Sequence, residues 1–187
     1  YAVDNVLDVV TESVTNTLGG GNDSVRSKVS YTLGANVDNL RLEDGFFAAV
    51  NAIGNAEANI LAGNEYGNLL DGMVGADTMS GGLGDDTYMV DASGDVVVEG
   101  PNMSGFGTDK VVYQASATFN AGSVAAIEVE NIEIRGTTAF TATGNALSNT
   151  FDARAAASTV MIGGGGDDTY YVDSSNDTIT EGGTGGI

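Results

Sequence analysis

Four glycines nine residues apart, Gly54, Gly63, Gly72 and Gly81, run in step with four large side chains at the same spacing, Leu61, Leu70, Met79 and Tyr88. Nine residues cannot make a helical stripe. They suit a tight turn of about six residues followed by a strand of about three with one inward apolar side chain, so that two nonapeptides complete one coil. The period therefore predicts an all-β chain of stacked coils.

A longer repeat encloses the short one. Tyr1-Ala2-Val3-Asp4, with Asp8 and Glu12 following, recurs as Tyr88-Met89-Val90-Asp91 with Asp95 and Glu99, and as Tyr170-Tyr171-Val172-Asp173 with Asp177 and Glu181. Inside each unit, a loop ending in Asp23 or Asp109 leads to Val25 or Val111, and Val37-Asp38-Asn39 answers Val129-Glu130-Asn131. The units expected are 1–87 with its first loop missing, 88–169, and 170–187 as the truncated start of a third. Both ends cut through units, as in a piece of a longer tandem array. Alternation predicts strands with Val25, Val29, Tyr31 and Leu33 facing one way, and Val111, Tyr113 and Phe119 in the partner unit. Only residues 46–53 invite a short helix.

Cysteine and histidine are absent, which excludes a disulfide framework, a Cys/His zinc site and every histidine-dependent nucleophile or metalloprotease. Against 26 acidic side chains stand 6 basic ones, a net charge of −20 that repels nucleic acid and anionic membranes, so the small partner expected is a cation. The basic residues, Arg26, Lys28, Arg41, Lys110, Arg135 and Arg154, are scattered and leave no nucleic-acid footprint. No apolar run approaches the roughly 20 residues of a transmembrane segment. With 28 glycines and one proline the chain needs many positive-φ turns, while 42% apolar residues is too many for a disordered linker.

The chemistry sits in the turns. Gly81-Gly82-Leu83-Gly84-Asp85-Asp86-Thr87-Tyr88 recurs as Gly163-Gly164-Gly165-Gly166-Asp167-Asp168-Thr169-Tyr170, and Gly72-Met73-Val74-Gly75-Ala76-Asp77 is a near copy. Glycines let several carbonyl oxygens face one point, and the aspartate at position six adds a carboxylate there. Oxygen ligands alone suit Ca²⁺, with its six to eight flexible ligands, better than Mg²⁺ or a transition metal. One turn supplies half a shell, so an ion is expected between loops on neighbouring coils. The degenerate loops at Asp23 and Asp109 fit either a binding loop or a bare turn.

Other turns read differently. Asn55 and Asn59, Asn64 and Asn68, and Asn145 and Asn149 put amides where the aspartate belongs, and these turns are expected to be metal-free ladders that bond the adjacent backbone. Residues 153–160 hold neither glycine nor a turn aspartate, which leaves Asp168 without a ligand-bearing loop before it. The Asp4, Asp8, Glu12 set and its two copies could form a cation shelf; Asx turns followed by a solvated acidic strand edge are the preferred reading. Tyr1, Tyr88 and Tyr170 read as strand packing in preference to a sugar-stacking ladder.

The loop resembles the G-G-x-G-x-D-x-U-x nonapeptide of the RTX, or haemolysin-type calcium-binding, family. The resemblance implies a calcium-binding parallel β-roll or β-solenoid that holds several Ca²⁺ ions. Its ligands would be backbone carbonyls at Gly72, Gly75, Gly81, Gly82, Leu83, Gly84, Gly163, Gly164, Gly165 and Gly166 and the carboxylates of Asp77, Asp86 and Asp168, with Asp23 and Asp109 as further candidates. It also implies type I secretion and calcium-triggered folding outside the cell. The function expected is a non-catalytic structural module of a large secreted or surface protein, such as an adhesin, surface layer or filament, meeting other copies end to end or in a lattice. The alternative is a calcium-binding accessory module of a secreted protease, lipase or polysaccharide-modifying enzyme. Catalysis within the chain is not expected, because its carboxylates recur on turns and not as a pair set in a cleft.

Overall fold

The computed structural model describes residues 1–13, 21–44, 50–99, 107–115 and 128–181. In chain order its strands are β1 (Ala2–Val3), β2 (Ser24–Ser27), β3 (Tyr31–Thr32), β4 (Asn39–Leu42), β5 (Asn51–Ile53), β6 (Ile60–Ala62), β7 (Leu69–Asp71), β8 (Thr78–Ser80) and β9 (Thr87–Val90). They continue as β10 (Val96–Val97), β11 (Lys110–Ala115), β12 (Asn131–Gly136), β13 (Phe140–Thr143), β14 (Thr150–Ala156), β15 (Thr159–Ile162), β16 (Thr169–Tyr171) and β17 (Thr178–Thr180). No helix occurs among the described residues.

Successive nonapeptide strands go to alternate sheets: β6 pairs with β8, and β7 with β9, both in parallel. One coil is therefore two nonapeptides, as the spacing predicts. The sheets run β1-β2-β4-β6-β8-β10, β3-β5-β7-β9-β11-β12-β14-β16 and β13-β15-β17, so the fold is a parallel β-solenoid. Homologous segments do not keep to one face. The strands β1 and β2 lie in the six-stranded sheet, and their counterparts β9 and β11 lie in the eight-stranded one.

Parallel register places like positions above one another, and this builds the core. Val25, Leu40, Leu61, Met79 and Val97 form one buried row. Ala52, Leu70, Tyr88, Val111, Ile132 and Phe151 form the opposite one, which ends on half-buried Tyr170. The Phe151 and Tyr170 rings stack with centroids 5.1 Å apart. Each large side chain in these rows contributes about 1.5–3 kcal/mol by leaving water. That is the packing role expected of Tyr88 and Tyr170.

The helix expected over 46–53 is not formed where it can be seen: Asn51–Ile53 is β5, and 45–49 lie outside the described residues. Register decides it, since Ala52 is wholly buried opposite Leu70 and a helix there would break the row. Val25, Leu33, Val111 and Tyr113 are buried as the alternation predicts, Val29 and Tyr31 pack partly against the core, and Phe119 lies outside the described residues.

Candidate metal sites in the stacked turns

The turns that join the sheets stack along the edges of the solenoid, and one hydrogen bond recurs between them. A side-chain oxygen just before a strand accepts the backbone N–H of its counterpart in the preceding coil. Along one edge Asp77 Oδ1 accepts from Asn59 at 2.7 Å and Asp95 Oδ1 from Asp77 at 3.1 Å. Along the other, Asp86 Oδ1 accepts from Asn68 at 2.7 Å, Asp109 Oδ1 from Asp86 at 2.8 Å, Glu130 Oε2 from Asp109 at 2.8 Å and Asp168 Oδ1 from Asn149 at 2.8 Å. These partners are 18, 23, 21 and 19 residues apart in the chain, so the ladder survives large changes in coil length.

The second side-chain atom separates the two kinds of turn. Asn59 Nδ2 donates to the carbonyls of Val37 and Asp38, both at 3.2 Å, and Asn68 Nδ2 to Val50 at 2.9 Å. Asn149 Nδ2 donates to Val129 at 2.8 Å, and Asn55 Nδ2 to Gly34 and Val37, both at 2.8 Å. Asparagine thus uses both arms: its N–H reaches a carbonyl of the preceding coil, and the Oδ1 of Asn59, Asn68 and Asn149 closes its own turn by accepting the backbone N–H of Asn55, Asn64 and Asn145. Aspartate has only a second acceptor to offer, and the buried Oδ2 atoms of Asp77, Asp86 and Asp168, like that of Asp23, have no hydrogen-bond partner.

A buried anionic oxygen without a donor is costly unless a cation meets it. The ion pairs among the described residues, Arg26 with Glu43, Lys110 and Arg135 with Glu133, and Arg154 with Asp152, involve none of these aspartates. Burial accordingly pushes the Asp77 and Asp86 carboxyls up to about 7 and that of Asp109 up to about 6. The backbone N–H bonds oppose the rise, and neighbouring carboxylates add to it. The donor set fits a hard divalent cation: carboxylate and carbonyl oxygens, with no nitrogen or sulfur ligand.

The glycines make room for this. A Cβ on Gly75 would lie 2.6 Å from the Glu57 carbonyl and 2.8 Å from Asp77 Oδ1, so carbonyl and carboxylate converge on one small space. A Cβ on Gly81 would strike both Asp86 Oδ2 and the Tyr88 hydroxyl, and one on Gly163 both Asp168 Oδ2 and the Tyr170 hydroxyl. The Gly72 position is closed in the same way by Asp77. Gly82 and Gly84 turn at φ of 108° and 97°, and Gly164 and Gly166 repeat them at 103° and 95°. In the near copy Met73 adopts φ of 63° where the full copies have glycine.

Loop 72–77 lies on 54–59, and Leu83 N–H reaches the Asn64 carbonyl at 3.1 Å, so loop 81–86 lies on 63–68. Gly165 N–H reaches the Asn145 carbonyl at 2.9 Å. The loop against Asp168 is therefore 144–149, a glycine-asparagine turn, and not the bare stretch 153–160 that precedes it in sequence; that stretch is mostly strand. Asp109 is buried within the ladder, whereas Gly19 and Gly105 of the degenerate loops lie outside the described residues.

Asp95 Oδ2 accepts from the N–H groups of Asp91 and Ala92 at 3.1 and 2.9 Å, and Asp8 Oδ2 from those of Asp4 and Asn5, both at 3.2 Å. These are the Asx-type turns expected. Glu99 departs from the expectation: it is half-buried, and one of its oxygens, one of Asp86 and one of Asp109 all lie within 4.8 Å of each other. No spacing rule links the three, because only the pairing of β9 with β11 brings Asp86 and Asp109 together.

The RTX calcium-binding nonapeptide repeat matches this chain in four copies, over residues 53–88 and 160–179. The chain matches no curated protein and no solved structure.

Proposed function

The chain belongs to the RTX family of calcium-binding repeats, and from that premise we propose that it is a non-catalytic structural module of a large secreted or cell-surface protein, folded by calcium outside the cell. The observation that carries this reading is the set of buried, partnerless Oδ2 atoms at Asp77, Asp86 and Asp168, each in a glycine turn stacked on another. Those carboxylates and the loop carbonyls of 72–75, 81–84 and 163–166 would hold the ions, with Asp23 and Asp109 as further holders. Bound calcium supplies the positive charge that the turns lack. Extracellular modules bind calcium at about 10⁻⁴ to 10⁻³ M, so millimolar calcium adds roughly 0.5 to 1.5 kcal/mol per site, and stacked sites add together. Cytosolic calcium is too low for this, which is consistent with export of an unfolded chain.

A parallel stack of coils can be extended by pairing an end coil with another copy, and the proposal includes association of that kind. Ile179 lies in β17, the last described strand.

Circular dichroism in calcium, in magnesium and in chelator tests the proposal. The expected result is β-structure and a raised melting temperature in millimolar calcium that magnesium does not reproduce. Full β-structure in excess chelator, with no gain in melting temperature on adding calcium, would overturn it.

A further inference from the structure

We infer that Glu99 joins Asp86 and Asp109 in a cation site built from three carboxylates, which adds side-chain ligands from two further segments to the turn at Asp86 and is echoed in part in the other two long units. The inference rests on the calcium-binding reading and adds a ligand that the nonapeptide pattern does not contain.

Proximity comes first: one oxygen from each of the three side chains lies within 4.8 Å of the other two. Asp86 is 1% exposed, and its Oδ1 is already taken by the Asn68 N–H. Its Oδ2 is buried without a hydrogen-bond partner and crowds the same point above Gly81 as the Tyr88 hydroxyl, which accepts the Gly81 N–H at 2.7 Å. Three carboxylates cannot stay ionised together in a buried pocket without a cation.

The other two units show parts of the same arrangement. Tyr170 hydroxyl donates to Glu181 at 2.7 Å, eleven residues along, with partnerless Asp168 Oδ2 against Gly163 beside it. Tyr1 hydroxyl donates to Glu12 at 3.3 Å, also eleven residues along. Asp23 Oδ2 is again buried and partnerless. In these two units tyrosine positions the glutamate. Among the described residues the three carboxylates come together in the middle unit.

Calcium titration of the full chain, followed by calorimetry and native mass spectrometry, tests this with Glu99→Gln and Asp77→Asn. Glu99→Gln is expected to lose one ion per chain or to weaken one site by roughly tenfold or more. Asp77→Asn is expected to lose a different ion, and the double variant both. Wild-type stoichiometry and affinity in Glu99→Gln, while the parent chain binds ions, would overturn the site and leave the calcium reading standing. A parent chain that binds no ion would overturn both. Terbium-soaked crystals of the unchanged chain answer the same question without a variant. An anomalous peak touching all three carboxylates is expected; peaks at the glycine loops with none there would overturn the assignment.

Discussion

Asp77 and Asn68 stand at the same place in their turns, one a carboxylate and the other an amide, and the difference is one proton donor. Asn68 spends its Nδ2 on the Val50 carbonyl, while Asp77 Oδ2 faces its turn with nothing to accept from. Asp77→Asn is therefore expected to stabilise the calcium-free fold by about 1–3 kcal/mol and to shrink the gain from calcium. Asn68→Asp should do the reverse, which chemical denaturation in chelator and in calcium would show. The pH response follows from the same groups. Folded Asp77 and Asp86 sit near 7, above their ordinary 3.8, so the calcium-free fold binds protons that the unfolded chain releases. Their contribution is complete below about pH 4 and is lost as pH rises through about 7. In chelator, the melting temperature should rise on going from about pH 8 to about pH 5, and saturating calcium should flatten that slope. A flat profile in chelator would count against buried carboxylates as the source of the calcium requirement. The asparagine ladder was legible from the sequence, since an amide has both arms to offer. The carboxylate rung was not, because it depends on which backbone N–H the neighbouring coil presents.

At the level of the element, each turn and strand is a near-identical module whose departures have a visible cost. Met73 holds φ of 63° where the full copies place glycine, a conformation that an L side chain occupies at a penalty. Met73→Gly should stabilise the loaded protein by about 1 kcal/mol in thermal melts, because the side chain is exposed and little packing is lost. No change would mean that the turn relaxes around methionine. Strand positions within the nonapeptides were readable because a fixed period sets one inward side chain every nine residues. The strand at Asn51–Ile53 was not, since its local pattern is neutral and pairing with Leu69–Asp71 makes the choice.

For the whole molecule, a net charge of −20 and a parallel stack that a further coil can extend pull in opposite directions. On the proposed function, self-repulsion holds copies apart until divalent cations neutralise the turns, after which coils of two copies can pair. Calcium-driven end-to-end association is therefore expected in light scattering and electron microscopy, and Ile179→Glu should abolish it while leaving the circular dichroism spectrum in calcium unchanged. A strictly monomeric calcium-loaded parent chain would remove the assembly from the proposal.

Sequence alone determined the nine-residue coil half, the all-β class, the inward rows and the identity of the aspartate turns, because each of these is set by residues close together in the chain. Tertiary structure alone decided which turns face each other: Asp168 against 144–149, homologous strands in opposite sheets, and Glu99 beside Asp86 and Asp109. Coils of unequal length between ladder partners shift every later turn by an amount that no local pattern records. Which oxygens converge on one point is therefore settled by the hydrogen-bonded register of whole strands.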